Sequence, residues 1–225
     1  NFAPVGNALD YGRTGAISMY SDDDATTIVA LGNYQTLYGD ELYTGSVRVY
    51  YHSIDENGDN SWNQLGADIS GVDESTASNS AVWFGVSVAL NSDDGTILAV
   101  GASYKDIGDD VEIGQVQVYK YIDASSNWYQ VGSDINGAAA GDLFGGSVSL
   151  NANGTILAAG AIYNDTGGSS AGHVRVYRYS QISSAEYDWV KMGTDIDGDR
   201  GADRTGHVVS LDSTGYILTV SSMYA

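Results

Sequence analysis

The chain of 225 residues carries 29 acidic against 9 basic side chains, a formal net charge of −20, with 29 glycines, 17 tyrosines, 1 proline and no cysteine. That charge excludes a face for nucleic acid or an anionic membrane, whose phosphates require clustered Lys and Arg, and no apolar run approaches the roughly 20 residues of a membrane-spanning helix. Without disulfides, stability must come from burial and strand pairing, and cysteine usage leaves the compartment open.

In chain order, residues 1–9 place Phe2, Val5, Gly6 and Leu9 at a spacing that recurs as Trp62, Leu65, Gly66 and Ile69. It recurs again as Trp128, Val131, Gly132 and Ile135, and as Trp189, Met192, Gly193 and Ile196. Residues 1–9 therefore predict a lone outer strand. Three repeats follow, over 11–69, 82–135 and 144–196, and an incomplete one over 204–225. In the third repeat, Ser147 to Leu150 is closed by Asn153-Gly154, a strong hairpin signal. The run 155–161 is small and apolar throughout, as in a strand buried on both faces. After a Gly-rich loop, Val174, Val176 and Tyr177 alternate with polar residues, as in a strand with one wetter face. The fourth run extends from Trp189 to Ile196. The first repeat is the most divergent, with Asp22, Asp23 and Asp24 in its first turn and a second acidic loop over 55–60.

Four antiparallel strands in about 60 residues, without helical periodicity, describe one blade of a β-propeller. The expected fold class is all-β: a propeller of four-stranded antiparallel blades, about 3.7 of them here. The fourth repeat lacks its third and fourth runs, so residues 216–221 are expected to form an open apolar edge. The expectation is either a portion of a longer propeller or an assembly unit whose missing strand another chain supplies.

Phe84-Gly85, Phe144-Gly145, Leu98-Ala99-Val100-Gly101-Ala102 and Leu157-Ala158-Ala159-Gly160-Ala161 resemble the FG-GAP repeats of integrin-α-like propellers. Gly114-x-Val116-x-Val118-Tyr119 and Gly172-x-Val174-x-Val176-Tyr177 extend the match. The stretch Asn-Gly-Thr-Ile-Leu-Ala is also similar to the second strand of WD-type repeats, the weaker alternative. The FG-GAP resemblance implies calcium in the turn between first and second strands, as the one cation cofactor to consider. That turn is short in the second and third repeats, whereas Asp22, Asp23 and Asp24 give the first the most acid for an ion that needs six to eight oxygens.

Candidate catalytic residues do not assemble from the sequence. His52, His173 and His207 stand at unrelated repeat positions, and no thiol exists. Asp68, Asp134 and Asp195 recur once per repeat, which predicts a structural role as acceptors of turn N–H groups. The recurring Trp62, Trp128 and Trp189 predict packing between blades, and Trp83 breaks the pattern. Sequons at Asn153 and Asn164 fall in loops expected to be exposed, as N-glycosylation candidates. The leading functional expectation is a non-enzymatic extracellular or cell-surface propeller for adhesion or assembly, with a protein or glycan partner or self-assembly through the 216–221 edge. A lectin-like carbohydrate-binding propeller is the alternative. A propeller glycosidase, which needs two carboxyl groups about 5–10 Å apart, is third.

Overall fold

The computed structural model describes residues 15–22, 26–38, 42–71 and 82–224. The predicted outer strand over 1–9 lies outside the described residues. Among those described, the fold is all-β and propeller-like, and the one helical element is a 3-10 turn at Asp123–Ser125. Three antiparallel meanders follow one another. The first joins Ala16–Ser21, Thr27–Asn33, Ser46–Ile54 and Asn60–Gln64. The second joins Phe84–Leu90, Ile97–Ala102, Gln115–Ile122 and Asn127–Gln130. The third joins Ser147–Leu150, Ile156–Ala161, His173–Gln181 and Tyr187–Asp197, and Val208–Leu211 with Leu218–Ser221 opens a fourth.

The fourth strand departs from the single run expected in each repeat. In the first two sheets it breaks, and Ile69–Ser70 and Ile135–Asn136 pair back onto the start of the third strand. The break falls at Gly66 and Gly132, whose φ values of 82° and 75° lie in the left-handed region that glycine enters without steric cost. In the third sheet the strand stays continuous and absorbs Gly193 (φ 65°) as a register shift between Val174 and Val176. The short hairpin of Leu37–Tyr38 with Leu42–Tyr43 was not expected from the sequence.

Glycine sets the distance between sheets. Gly32, Gly101 and Gly160 in the second strands stand against the carbonyl oxygens of Gly85, Gly145 and Gly206 in the next sheet, and a Cβ at any of them would overlap that oxygen. The adjoining Phe84 and Phe144 pair by single parallel bridges to Gly45 and Gly114 of the preceding sheet. The Phe-Gly and Gly-Ala pairs are therefore the two halves of one contact between neighbouring sheets. Side chains seal the same seam: Ser87 Oγ donates to Gly145 O and Ser147 Oγ to Gly206 O, each at 2.7 Å.

The apolar strand faces fill the space between sheets. Val47, Val49 and Ile69 of the first sheet meet Phe84, Leu98 and Val100 of the second, while Val116 and Val118 meet Phe144 and Leu157 on its other side. The repeated tryptophans belong to this packing. Trp128 Nε1 donates to Leu65 O at 2.8 Å and Trp189 Nε1 to Val131 O at 3.0 Å, each indole lying over the glycine that breaks the preceding sheet's fourth strand.

Candidate functional site

Strand pairing brings four polar positions of each sheet together: the first and third residues of the third strand, and two residues flanking the isoleucine that closes the repeat. In the first sheet these are Ser46, Arg48, Asp68 and Ser70, with Ser46 opposite Ser70. In the second they are Gln115, Gln117, Asp134 and Asn136, with Gln115 opposite Asn136. In the third they are His173, Arg175, Asp195 and Asp197, with His173 opposite Asp197.

The recurring aspartate is held by side chains and not by the turn N–H groups expected of it. Arg48 Nε donates to both oxygens of Asp68 at 2.8 and 2.9 Å, and Gln64 Nε2 adds a bond at 2.8 Å. The Arg48 hydrogen bonds hold the Asp68 carboxyl below the usual carboxylate range, against a smaller opposing effect of burial. In the third sheet Arg175 donates to Asp195 Oδ2 through Nε at 3.0 Å and Nη2 at 2.8 Å, and Lys191 Nζ takes Oδ1. Burial would raise the Asp195 carboxyl, but the bonds from Arg175 and then Lys191 outweigh it and leave its pKa at about 2.

The second sheet has no cation in this role. Asp134 Oδ1 accepts from Gln117 Nε2 at 2.8 Å and Gln130 Nε2 at 2.7 Å, and Oδ2 accepts from Gln115 Nε2 at 3.2 Å. This amide collar borders a cleft of about 390 Å³ between the first and second sheets. Ser70 and Gly71 form its wall on the first sheet, and Val82, Phe84 and Ala102 line its apolar part. Tyr119 closes one side. Its hydroxyl donates to Gln117 Oε1 at 2.9 Å, and its ring meets Phe84 edge to face with centroids 6.3 Å apart. Burial pushes the Tyr119 phenol far above its usual value, so it stays protonated. Among the described lining residues Asp134 is the one carboxylate and Lys105 the one cation, so the carboxylate pair of a glycosidase does not form there.

The residues singled out from sequence lie elsewhere. Asp22 closes its own turn, Oδ1 accepting from Thr26 N at 2.8 Å and Oδ2 facing the Tyr20 hydroxyl at 3.4 Å; Asp23 and Asp24 fall outside the described residues. The corresponding turn of the second sheet is filled by its own bonds, with Asp94 Oδ1 accepting from Asn91 Nδ2 and from Thr96 through both N and Oγ1. Asp55 likewise caps the N–H groups of Asn57 and Asp59. Trp83 lies between Tyr34 and Tyr104, with ring centroids at 5.1 and 4.1 Å. Asn153 is exposed, as its sequon requires. Asn164 is not: it is 4% exposed, and its Nδ2 donates to the buried Asp142 at 3.0 Å, so the exposure expected of that loop is corrected.

No helix among the described residues is long and apolar enough to cross a membrane. No family model matches the chain, and no curated protein does. Among solved structures it is similar to the periplasmic gluconolactonase PpgL of Pseudomonas aeruginosa, at 11% identity and a TM-score of 0.43 over 91% of this chain. The chain spans 64% of that protein's length. PpgL is by its name an enzyme, a finding at odds with the expected non-enzymatic adhesion or assembly module, which is not taken further.

Proposed function

We propose that the protein binds a small, uncharged, polyhydroxylated ligand of the sugar class in the cleft between its first and second sheets. The observation that carries this is the amide collar. Where the neighbouring sheets neutralise the recurring aspartate with arginine, the second sheet surrounds it with Gln115, Gln117 and Gln130. Each Nε2 already gives a hydrogen to Asp134, so the remaining amide hydrogens and oxygens of the collar are what meets a ligand's hydroxyl groups, which both donate and accept. Phe84 and Ala102 form the buried apolar floor of the cleft. Anionic ligands are disfavoured by the net charge of −20, and within the cleft Lys105 is the one described cation beside Asp134. The volume of about 390 Å³ falls within the range of small-molecule sites. The proposal concerns the ligand and carries no adhesive or scaffolding role.

The second and third sheets each bury both faces, one on the preceding and one on the following sheet. We read them as consecutive blades of a ring, in an extracytoplasmic protein whose Phe-Gly and Gly-Ala motifs follow the FG-GAP pattern.

Titration calorimetry with neutral mono- and disaccharides, alongside their anionic sugar-acid counterparts, tests the ligand class. Neutral sugars should bind and sugar acids should not. Gln117→Ala should weaken binding about fivefold or more, the worth of one lost hydrogen bond. Absence of binding by every neutral sugar, or affinity unchanged in Gln117→Ala, overturns the proposal.

A further inference from the structure

The three sheets solve one position differently. Gln115 is buried, and its Nε2 donates to Asp134 Oδ2 and to Asn136 Oδ1 at 2.9 Å. Ser46 is buried too, and its hydroxyl bonds Thr36 Oγ1 at 2.7 Å. The third sheet places His173 there, fully buried at 0% exposure, and neither Nδ1 nor Nε2 has a hydrogen-bond partner among the described residues. Buried polar groups are nearly always paired, so two orphan nitrogens on one ring call for a missing partner. Nδ1 points between two carboxylates, 3.8 Å from Asp195 Oδ2 and 3.9 Å from Asp197 Oδ1, beyond hydrogen-bond reach.

We propose that His173, Asp195 and Asp197 bind a divalent transition-metal ion of the zinc class, with His173 Nδ1 as the nitrogen ligand. The three ligand atoms lie within 4.8 Å of one another. Two ligands about 2.1 Å from a tetrahedral ion stand about 3.4 Å apart, so closing the site takes about half an ångström between His173 and each carboxylate and up to about 1.4 Å between the two carboxylates. An imidazole with two carboxylates suits zinc, whereas calcium and magnesium prefer all-oxygen shells. Arg175 and Lys191 already engage Asp195, so the ion shares that carboxylate with them. Asp197 accepts no hydrogen bond from a described residue and supplies the less encumbered charge. Its side chain is 35% exposed, which opens the site to water for the remaining coordination positions. A further acid, the buried Asp142, adds to the negative potential at the ring, against the positive charge of Arg175. None of these residues lines the cleft between the first and second sheets, so this proposal and the ligand proposal stand or fall separately.

The test is titration of the whole chain with Co²⁺, followed by visible absorption, then competition with Zn²⁺ and melting with and without Zn²⁺. One equivalent of Co²⁺ should bind with a visible spectrum, Zn²⁺ should displace it and raise Tm, and Ca²⁺ should do neither. His173→Gln installs the side chain that the second sheet carries at this position and should fold. It and Asp197→Asn should each weaken metal binding by about tenfold or more, while His207→Gln leaves it unchanged. Should His173→Gln not fold, the exposed Asp197→Asn decides alone. No binding of Co²⁺ or Zn²⁺ at millimolar metal, or binding unchanged in Asp197→Asn, overturns the proposal.

Discussion

Gly101→Ala tests whether glycine sets the spacing between sheets. In the native chain the Gly101 Cα faces the Gly145 peptide of the next sheet, and an added Cβ would lie 2.9 Å from the Gly145 carbonyl carbon and closer still to its oxygen and to Ser87 Oγ. Both obstacles are fixed: one is backbone, and the other is a buried hydroxyl donating to that same oxygen at 2.7 Å. Relief requires the second and third sheets to part by about 1 Å. Overpacking of this kind costs about 1–3 kcal/mol, and loss of the Ser87–Gly145 bond adds about 0.5–1.5 kcal/mol. Urea unfolding should therefore show a loss of about 2–4 kcal/mol, before any loosening of the Val116–Phe144–Leu157 packing beyond the seam. Gly146→Ala is the matched control, because its added Cβ meets nothing nearer than Leu143 O at 3.5 Å; it should stay within about 0.5 kcal/mol of wild type. Gly101→Ala within that same margin would refute the reasoning.

Two further outcomes follow from the packing and the charges. Leu157, 0% exposed among Phe144, Leu150 and Tyr177, should cost about 2–5 kcal/mol when truncated to alanine, and a loss below about 0.5 kcal/mol in urea melts would contradict its placement. Asp68 has a depressed carboxyl in the folded state, so the advantage of wild type over Asp68→Asn should be full above about pH 4, the unfolded value, and vanish as pH falls through the folded one. Because that pair is half exposed, thermal melts should show the advantage shrink in high salt, and an advantage that grows on acidification would oppose the assignment.

The architecture was legible in the sequence because it rests on backbone geometry that few residues permit. Phe84-Gly85 with Gly101, and Phe144-Gly145 with Gly160, mark the points where two main chains touch, and substitution there is sterically expensive. The tryptophan placed over a glycine of the preceding sheet was legible for the same reason.

The sites were not, although their residues stood in the variable positions of Gly114-x-Val116-x-Val118 and Gly172-x-Val174-x-Val176. Those positions hold Gln115 and Gln117 in one sheet and His173 and Arg175 in the next. Their importance comes from pairing with Asp134 and Asn136, or with Asp195 and Asp197, about 20 residues later. A signal was available: within a strict repeat, glutamines replacing arginine and a histidine replacing glutamine mark positions where chemistry diverges while the frame holds. Asn164 failed for the opposite reason, since its loop reads as polar while the side chain folds inward onto Asp142.

The most direct test of the ligand proposal is a titration of the ¹⁵N-labelled chain with a neutral monosaccharide, following the glutamine side-chain amides by NMR. The account predicts saturable shifts of the Gln115, Gln117 and Gln130 amides together, while Gln64 of the first sheet stays fixed. Silence at those three amides, or saturable shifts confined to other residues, would contradict it.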